Sequence, residues 1–252
     1  MNIQGIDTAH KLTSAEAKAV KDCGMQFVCR YLVPNLNETA WKALTAPEAE
    51  DIRSNDLAIL LLWETTTARA KQGRSAGDDD GNTARELAKE MNIPETCAIY
   101  FCVDYDAPSY DYPAIDEYLY GAKQAVAPYR VGVYGKADLV NSVKADCYMQ
   151  CVAWSGGVLS EKANVYQYQW QGGAEAQEMK KRVGFYVDLD CCNDMVNAGM
   201  WMPKTETAKT LDKQIAEATE WAKKEGIFVD GMHDVGQCLL LLYNYRNSSL
   251  PT

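Results

Sequence analysis

CAIYFCVDYDAPSYDYPAIDEYLYGAKQAVAPYRVGVYG, residues 97–135, contains two apolar runs separated by one segment with helical spacing. The runs at 97–103 and 130–135 have the composition of short buried strands, and 112–126 repeats its apolar residues at helical intervals. A strand, helix and strand in this order predict two parallel strands joined by a crossover helix. The first run ends in Asp104 and Asp106, which serve either a solvated turn or an active site.

The same unit recurs along the first 200 residues. Eight apolar runs are candidate strands: 2–6, 26–32, 57–63, 97–103, 130–135, 150–154, 164–170 and 184–189. Helical segments follow the first four runs, and the units after the sixth are shortened. This alternation predicts an α/β fold with a parallel sheet, a (β/α)8 TIM-type barrel. The competing fold is a doubly wound open sheet, but no G-x-G-x-x-G follows the first strand.

Polar residues recur where the predicted strands end, which is the end at which barrels of this type carry their sites. The acidic residues there are the predicted catalytic candidates: Asp7, Glu64, Asp104, Asp106 and Asp188. Five further residues are predicted to bind the ligand: Arg30, Tyr31, Tyr134, Trp154 and Gln167. We interpret the set as an acidic cleft with aromatic walls. The alternative is structural, with aspartates such as Asp190 capping helices and the aromatic residues packing in the core.

The charged residues at these strand ends suggest which side chains form ion pairs and which carry a proton. Arg30 ends an apolar strand, where an unpaired charge is costly, so a salt bridge to Asp7 or Asp104 is predicted. Asp104 and Asp106 are two residues apart, and in a regular strand both would point into the barrel. Crowded carboxylates resist double ionisation. Asp104 is therefore predicted to be the ionised partner, and Asp106 or Glu64 the proton donor.

Composition excludes several classes of function. The net charge of −10 argues against a nucleic-acid partner. No stretch approaches the roughly 18 apolar residues of a membrane span, so no membrane insertion is expected. The nine cysteines lack a C-x-x-C motif and are predicted to be reduced core thiols. With two histidines in the chain, neither a metal nor another cofactor is expected.

Several motifs carry a family resemblance that covers roughly residues 2–198. They are GIDTAHKLTSAEAKAVKDCGMQFVCRYL, WE, the spacing of Gly73, Gly77 and Asp80, IYFCVDYD, GVYG, AWSGG, YQYQW and VDLD. With them the chain resembles the glycoside-hydrolase-like family called domain of unknown function 1906. Through that family it is similar to glycoside hydrolase family 25, the lysozymes that cut peptidoglycan.

The resemblance implies a TIM-type barrel with an acidic, carbohydrate-binding cleft. Asp7, Asp104 and Asp188 match the family's aspartates after the first, fourth and eighth strands, and Asp80 becomes a further candidate for substrate binding. Family 25 carries Asp-x-Glu after the fourth strand, with the glutamate as proton donor. This chain has Asp106 at that position, one methylene shorter, which leaves Glu64 as an alternative donor.

Two domains are predicted: a barrel over residues 1–200 and a helical C-terminal module over 205–252. Residues 205–228 read as an amphipathic helix that ends near Gly226, and 234–246 as a second helix. The second helix carries more apolar surface than a two-helix hairpin can cover. The module is therefore predicted to bind the cell wall or to form a homo-oligomer.

The predicted function is that of a glycoside hydrolase which cleaves bacterial peptidoglycan, as in a phage or prophage endolysin. The start of the chain lacks a basic segment followed by an apolar one, so a cytoplasmic protein is expected until its release to the wall. One alternative is a barrel that binds glycans without cleaving them. Another is a wall amidase or endopeptidase.

Overall fold

The computed structural model describes residues 1–205, 213, 215–220 and 224. The chain divides into two compact units, Met1–Pro203 and Lys204–Thr252. In the second unit, residues 213, 215–220 and 224 are helical. The predicted helix 234–246, and with it the proposed role of the C-terminal module, lies outside the described residues.

The first unit is a closed eight-stranded barrel, which confirms the predicted fold class. Neighbouring strands pair in chain order, and the last strand pairs with the first. The strands are β1 (Ile3–Asp7), β2 (Phe27–Tyr31), β3 (Ala58–Trp63), β4 (Ala98–Cys102), β5 (Arg130–Gly135), β6 (Cys147–Cys151), β7 (Val165–Gln169) and β8 (Asp188–Cys192).

Helices surround the barrel and connect most of its strands. They are α1 (Ser14–Asp22), α2 (Ala46–Ser54), α3 (Arg74–Glu90), α4 (Tyr112–Val126), α5 (Ala137–Ser142) and α6 (Ala174–Val183), with short 3-10 helices at Arg69–Gln72 and Ser109–Asp111. The unit after β7 is not shortened as predicted, since it contains the ten-residue α6, but the unit after β6 is, because residues 152–164, all of them described, contain no helix. The unit before it is also short, because α5 has only six residues.

The direction of β8 corrects the predicted all-parallel sheet. Strand β8 runs antiparallel to both β1 and β7. Asp188 therefore begins this strand, instead of lying near the end of a strand over 184–189. Because the strand is reversed, its first residue pairs with Asp7, the last residue of β1. Asp188 thus reaches the same mouth of the barrel that the prediction assigned to it.

Two apolar layers hold the unit together. One fills the barrel interior and includes Phe27, Leu60 and Tyr100, and the other lies between the strands and the helices. Gly132 makes room for the Tyr100 ring, since a methyl group at that position would lie 2.4 Å from it. The eight described cysteines are free, and seven of them are buried. Thiols of this kind act as small apolar side chains in a narrow interior.

The Gly73, Gly77 and Asp80 spacing has a packing explanation. A methyl group on Gly77 would lie 2.0 Å from the carbonyl oxygen of Tyr118, so this glycine lets α3 approach α4 closely. Gly73 precedes α3 with a φ of +76°, a backbone conformation that favours glycine. Gly77 therefore serves the contact between these helices, and Gly73 the turn that precedes α3.

We expect residues 1–203 to fold without the remainder of the chain. All eight strands and both apolar layers belong to this unit, so truncation removes no barrel hydrogen bond. The truncated protein should show the circular dichroism of an α/β protein and a cooperative thermal transition. An unfolded fragment would mean that the second unit contributes to the core.

Candidate active site

Four carboxyl groups converge at one mouth of the barrel. Strand residues two apart share a face. In β3, Leu60 and Leu62 face the barrel interior, and the same alternation places Glu64 on that side. In β4, Tyr100 and Cys102 face the interior, and the alternation places Asp104 there. The paired Asp7 and Asp188 complete the set. The groups act on one another electrostatically: Asp188 and Glu64 raise the pKa of Asp7, and Asp104 raises those of Glu64 and Asp188.

Asp7 is the most deeply buried member of this cluster. Burial raises its pKa well above the ordinary value, and Asp190, Asp188 and Glu64 raise it further. Its Oδ1 has no hydrogen-bond partner within the part of the chain that the structure describes. Burial and the neighbouring carboxyl groups therefore favour the protonated form of Asp7.

Asp190 lies beneath Asp7, inside the barrel, and is fully buried. The predicted role as a helix cap is wrong, because Asp190 belongs to β8 and accepts a hydrogen bond from the Cys29 thiol at 3.4 Å. Burial is also the main cause that raises its pKa well above the usual range. The sequence carried a signal for this position, since VDLD spaces Asp188 and Asp190 as neighbours on one strand face.

Gln167 connects two of the carboxyl groups to the barrel wall. Its Nε2 donates to Asp188 Oδ2 at 3.2 Å and to Asp7 Oδ2 at 3.5 Å, and its Oε1 accepts from the Tyr134 hydroxyl at 3.0 Å. Both Gln167 and Tyr134 are buried. They support the carboxyl groups from within, so Tyr134 does not offer the open stacking face that was predicted.

Glu64 and Asp104 lie beside a lysine that the sequence did not single out. The Lys42 ammonium is 3.3 Å from Glu64 Oε2. Burial raises the pKa of Glu64, Lys42 opposes this, and Asp104 adds to it. For Asp104 as well, burial raises the pKa and Lys42 lowers it. Lys42 is a loop residue, to which strand alternation does not apply.

Asp106 does not share the position of Asp104. Strand β4 ends at Cys102 and its hydrogen bonding to β5 continues only to Val103, so the alternation reaches Asp104 and stops before Asp106. The Asp106 side chain is 63% exposed and accepts a hydrogen bond from Lys136 Nζ at 2.6 Å. The prediction that both carboxylates point into the barrel is therefore wrong.

Arg30 also differs from the prediction. It faces away from the barrel interior, is fully buried, and donates from Nε to Glu48 Oε1 at 2.7 Å. Its other nitrogens donate to the carbonyl oxygens of Thr8 and Lys42. The predicted salt bridge to Asp7 or Asp104 does not form, and a fully buried guanidinium cannot contact substrate in this structure. Arg30 instead joins α2 to the loops that follow β1 and β2.

Asp80 lies in α3 and accepts hydrogen bonds from Arg69 and from the Tyr118 hydroxyl, the latter at 2.7 Å. Both carboxylate oxygens are used in this way. Its predicted role in substrate binding is therefore replaced by a structural one, which also explains its spacing from Gly77.

A groove of about 830 Å³ leads away from Asp7 and Asp188. Its walls include Tyr31 at the end of β2, Trp41, which is 64% exposed, and Tyr186. Open aromatic faces beside a polar cluster are typical of sites that bind sugar rings or similar amphipathic ligands. Tyr31 thus lies where the sequence predicted a substrate-binding residue.

Trp154 follows β6 and has an unusual backbone conformation. Its φ is +56°, which is rare for a large side chain, and 45% of its surface is exposed. The buried Ser155 fixes this turn, since its Oγ donates to the carbonyl oxygen of Cys151 and accepts from Ala137 N. A strained, exposed tryptophan on a rigid turn fits the predicted role in binding a sugar ring.

We expect Asp190→Asn to flatten the pH dependence of stability. A carboxyl group whose pKa is raised on folding stabilises the fold below its ordinary pKa, and this contribution is lost as the pH rises. Between pH 4 and pH 7 the variant should therefore lose less stability than the wild type, by about 1 kcal/mol or more. Thermal unfolding at both values tests this, with the exposed Asp22→Asn as control. Parallel curves for the wild type and Asp190→Asn would contradict it.

Among the described residues, no group of three or more His, Cys, Asp or Glu side chains is arranged to hold a metal ion. The same residues include no helix long and apolar enough to cross a membrane.

Comparison with known proteins relates the chain to two from Bacillus subtilis strain 168. It is 27% identical to the uncharacterized protein FadG over 146 residues, 54% of this chain and 25% of FadG. It is 30% identical to the uncharacterized protein YbfG over 149 residues, 53% of this chain and 20% of YbfG. The chain therefore spans a quarter or less of the length of these relatives.

The fold is shared with the Mycobacterium tuberculosis Tat-secreted protein Rv2525c, solved in complex with L-tartrate. The TM-score is 0.68 and the identity 21%, over 80% of this chain and all of that one. This neighbour contradicts the predicted cytoplasmic localisation, since it is a secreted protein. The buried thiols do not indicate a compartment, because inside a barrel they pack as small apolar groups.

The predicted resemblance to a glycoside-hydrolase-like family is confirmed by a family model. The model of the Rv2525c-like, glycoside hydrolase-like domain matches residues 18–232. These residues include β2 to β8 and therefore most of the barrel and its mouth. The chain belongs to the Rv2525c-like family of glycoside hydrolase-like domains.

Proposed function

We propose that this protein is a glycoside hydrolase that cleaves the glycan chains of bacterial peptidoglycan. The observation that carries the proposal is the convergence of Asp7, Glu64, Asp104 and Asp188 at the mouth of the barrel, where an aromatic groove begins. Glycoside hydrolysis needs one protonated carboxylic acid and one carboxylate on the two sides of the scissile bond. A cluster that spreads the pKa values of its members supplies both forms.

Asp188 is the best candidate for the proton donor. Burial raises its pKa to about 6, so it carries a proton in mildly acidic solution and can release it. Glu64 is a weaker candidate than the sequence suggested, because the Lys42 ammonium beside it favours the carboxylate. Asp106 is exposed and ion-paired with Lys136, away from the burial that favours a protonated acid.

Glu64 and Asp104 are then the proposed carboxylates. Lys42 opposes the effect of burial on the pKa of both, which favours their carboxylate forms. A carboxylate in this position stabilises the oxocarbenium-like transition state or activates water. Asp7, whose burial favours its protonated form, would position the substrate or Asp188.

Peptidoglycan is supported as the substrate by the strand-end motifs, which resemble those of family 25 lysozymes. The groove beside Asp7 would present Tyr31, Trp41 and Tyr186 to a bound glycan chain. A phage or prophage endolysin is a narrower version of this proposal. It depends on the same cleavage of the glycan chains.

Mass spectrometry of the products released from purified peptidoglycan tests the proposal. We expect muropeptides with a new reducing end, whose identity also reveals which glycosidic bond is cut. Release should persist in a chelator and after thiol alkylation. Binding to walls without release would instead support a glycan-binding barrel. Free peptides without a new reducing end would support an amidase or endopeptidase.

A further inference from the structure

Lys42 is a buried ammonium within an otherwise acidic and neutral site. It lies in the loop between β2 and α2, and its side chain is only 8% exposed. Its Nζ is 3.3 Å from Glu64 Oε2, and the Glu64 side chain is 14% exposed. Burying an ammonium group costs free energy even when the group is paired. Lys42 therefore differs from an ordinary surface lysine.

The surroundings of Lys42 hold the ammonium in place. Its Nζ lies 4.6 Å from the centre of the Tyr31 ring and 5.8 Å from that of Trp41, within the range of cation–π attraction. Its backbone carbonyl accepts a hydrogen bond from Arg30 Nη2 at 3.1 Å. Because Arg30 is itself fully buried and paired with Glu48, the backbone at Lys42 is fixed to the barrel wall.

The other titratable groups that interact with Glu64 cannot carry a positive charge. The titratable groups that interact with it, besides Lys42, are Asp7, Tyr31, Cys102 and Asp104. Each of these is neutral or negative in its two protonation states. Within the described residues, Lys42 is therefore the cation that acts on both Glu64 and Asp104.

We propose that Lys42 is a positioning residue that keeps the Glu64 side of the site ionised and thereby assigns the proton to Asp188. This inference rests on the proposed glycosidase function but concerns a division of roles that the function alone does not specify. Without the ammonium, burial and mutual repulsion favour protonation of Glu64 or Asp104. The site would then hold acids on both sides and lack the carboxylate that the transition state needs.

The experiment compares Lys42→Met, which keeps the length of the side chain and removes its charge, with Lys42→Arg. We expect Lys42→Met to reduce the rate of muropeptide release about 100-fold, within the usual range for an acid–base group. The acid limb of its pH profile should move to higher pH. Lys42→Arg should restore that limb toward its wild-type position. The exposed Lys18→Met on α1 should leave rate and profile unchanged.

A direct titration separates this inference from the proposed function. Selective carbon-13 labelling of glutamate carboxyl groups reports ionisation of Glu64 by NMR, whether or not the protein cleaves walls. We expect Glu64 to titrate at higher pH in Lys42→Met than in the wild type. The NMR signal of Glu64 is assigned as the one that disappears in Glu64→Gln. An unchanged Glu64 titration would overturn the inference even in an active enzyme. If Lys42→Met does not fold, Lys42→Gln provides the same comparison. A Glu64 side chain that stays protonated at neutral pH in the wild type would also overturn the inference.

Discussion

Asp104→Asn should reduce the cleavage of purified peptidoglycan by about 1,000-fold, whereas Asp106→Asn should retain most of the activity. The two residues are separated by one position, and the substitutions are chemically identical. Their surroundings differ: burial and Lys42 act on the pKa of Asp104 inside the mouth, while Asp106 is 63% exposed and paired with Lys136. The pair therefore isolates the effect of position in the cleft.

Stability measurements distinguish a lost catalytic group from a damaged fold. Asp104→Asn removes one charge from a crowded acidic cluster, so we expect its melting temperature to equal or exceed that of the wild type. Asp106→Asn loses an exposed ion pair, which is worth about 1 kcal/mol at most. Full activity in Asp104→Asn would show that β4 is followed by carboxylates for structural reasons alone.

The sequence predicted the barrel because it contains eight short apolar runs, with helical segments after the first four. It predicted Asp7, Glu64 and Asp104 at one mouth because parallel strands of a closed barrel all point their C-terminal ends the same way. The rule is topological and needs no knowledge of side-chain packing. This rule does not apply to β8, which runs in the opposite direction. Asp188 was nevertheless assigned to the correct mouth, because the predicted strand had both the wrong boundaries and the wrong direction, and these two errors cancelled.

Residues beyond the strand ends could not be predicted in this way. The alternation of β4 extends to Asp104 but not to Asp106, which was assigned to the cleft and lies at the exposed rim. Arg30 was correctly identified as a charge that needs a partner, but the partner, Glu48, comes from α2, and the sequence does not reveal which helix covers that face. Lys42 reaches the site from a loop through tertiary packing, and no sequence pattern marks it.

We expect wild-type activity to fall as the pH rises above about 6, because the proposed donor, Asp188, has a pKa near that value and must be protonated to act. Activity should also fall at low pH, where Glu64 and Asp104 take up protons. Asp188→Asn should lower the rate on peptidoglycan by at least about 100-fold. The profile of kcat/KM against pH gives the first test.

A substrate with an activated aryl leaving group gives the second and sharper test, because such a group departs without being protonated. Asp188→Asn should therefore regain most of its rate on an aryl glycoside of the peptidoglycan disaccharide, while Asp104→Asn should remain inactive on it. Asp22→Asn, at an exposed site on α1, serves as the control on both substrates. If Glu64→Gln is rescued by the aryl substrate and Asp188→Asn is not, then Glu64 is the donor, and the Lys42 ammonium cannot have the role inferred for it.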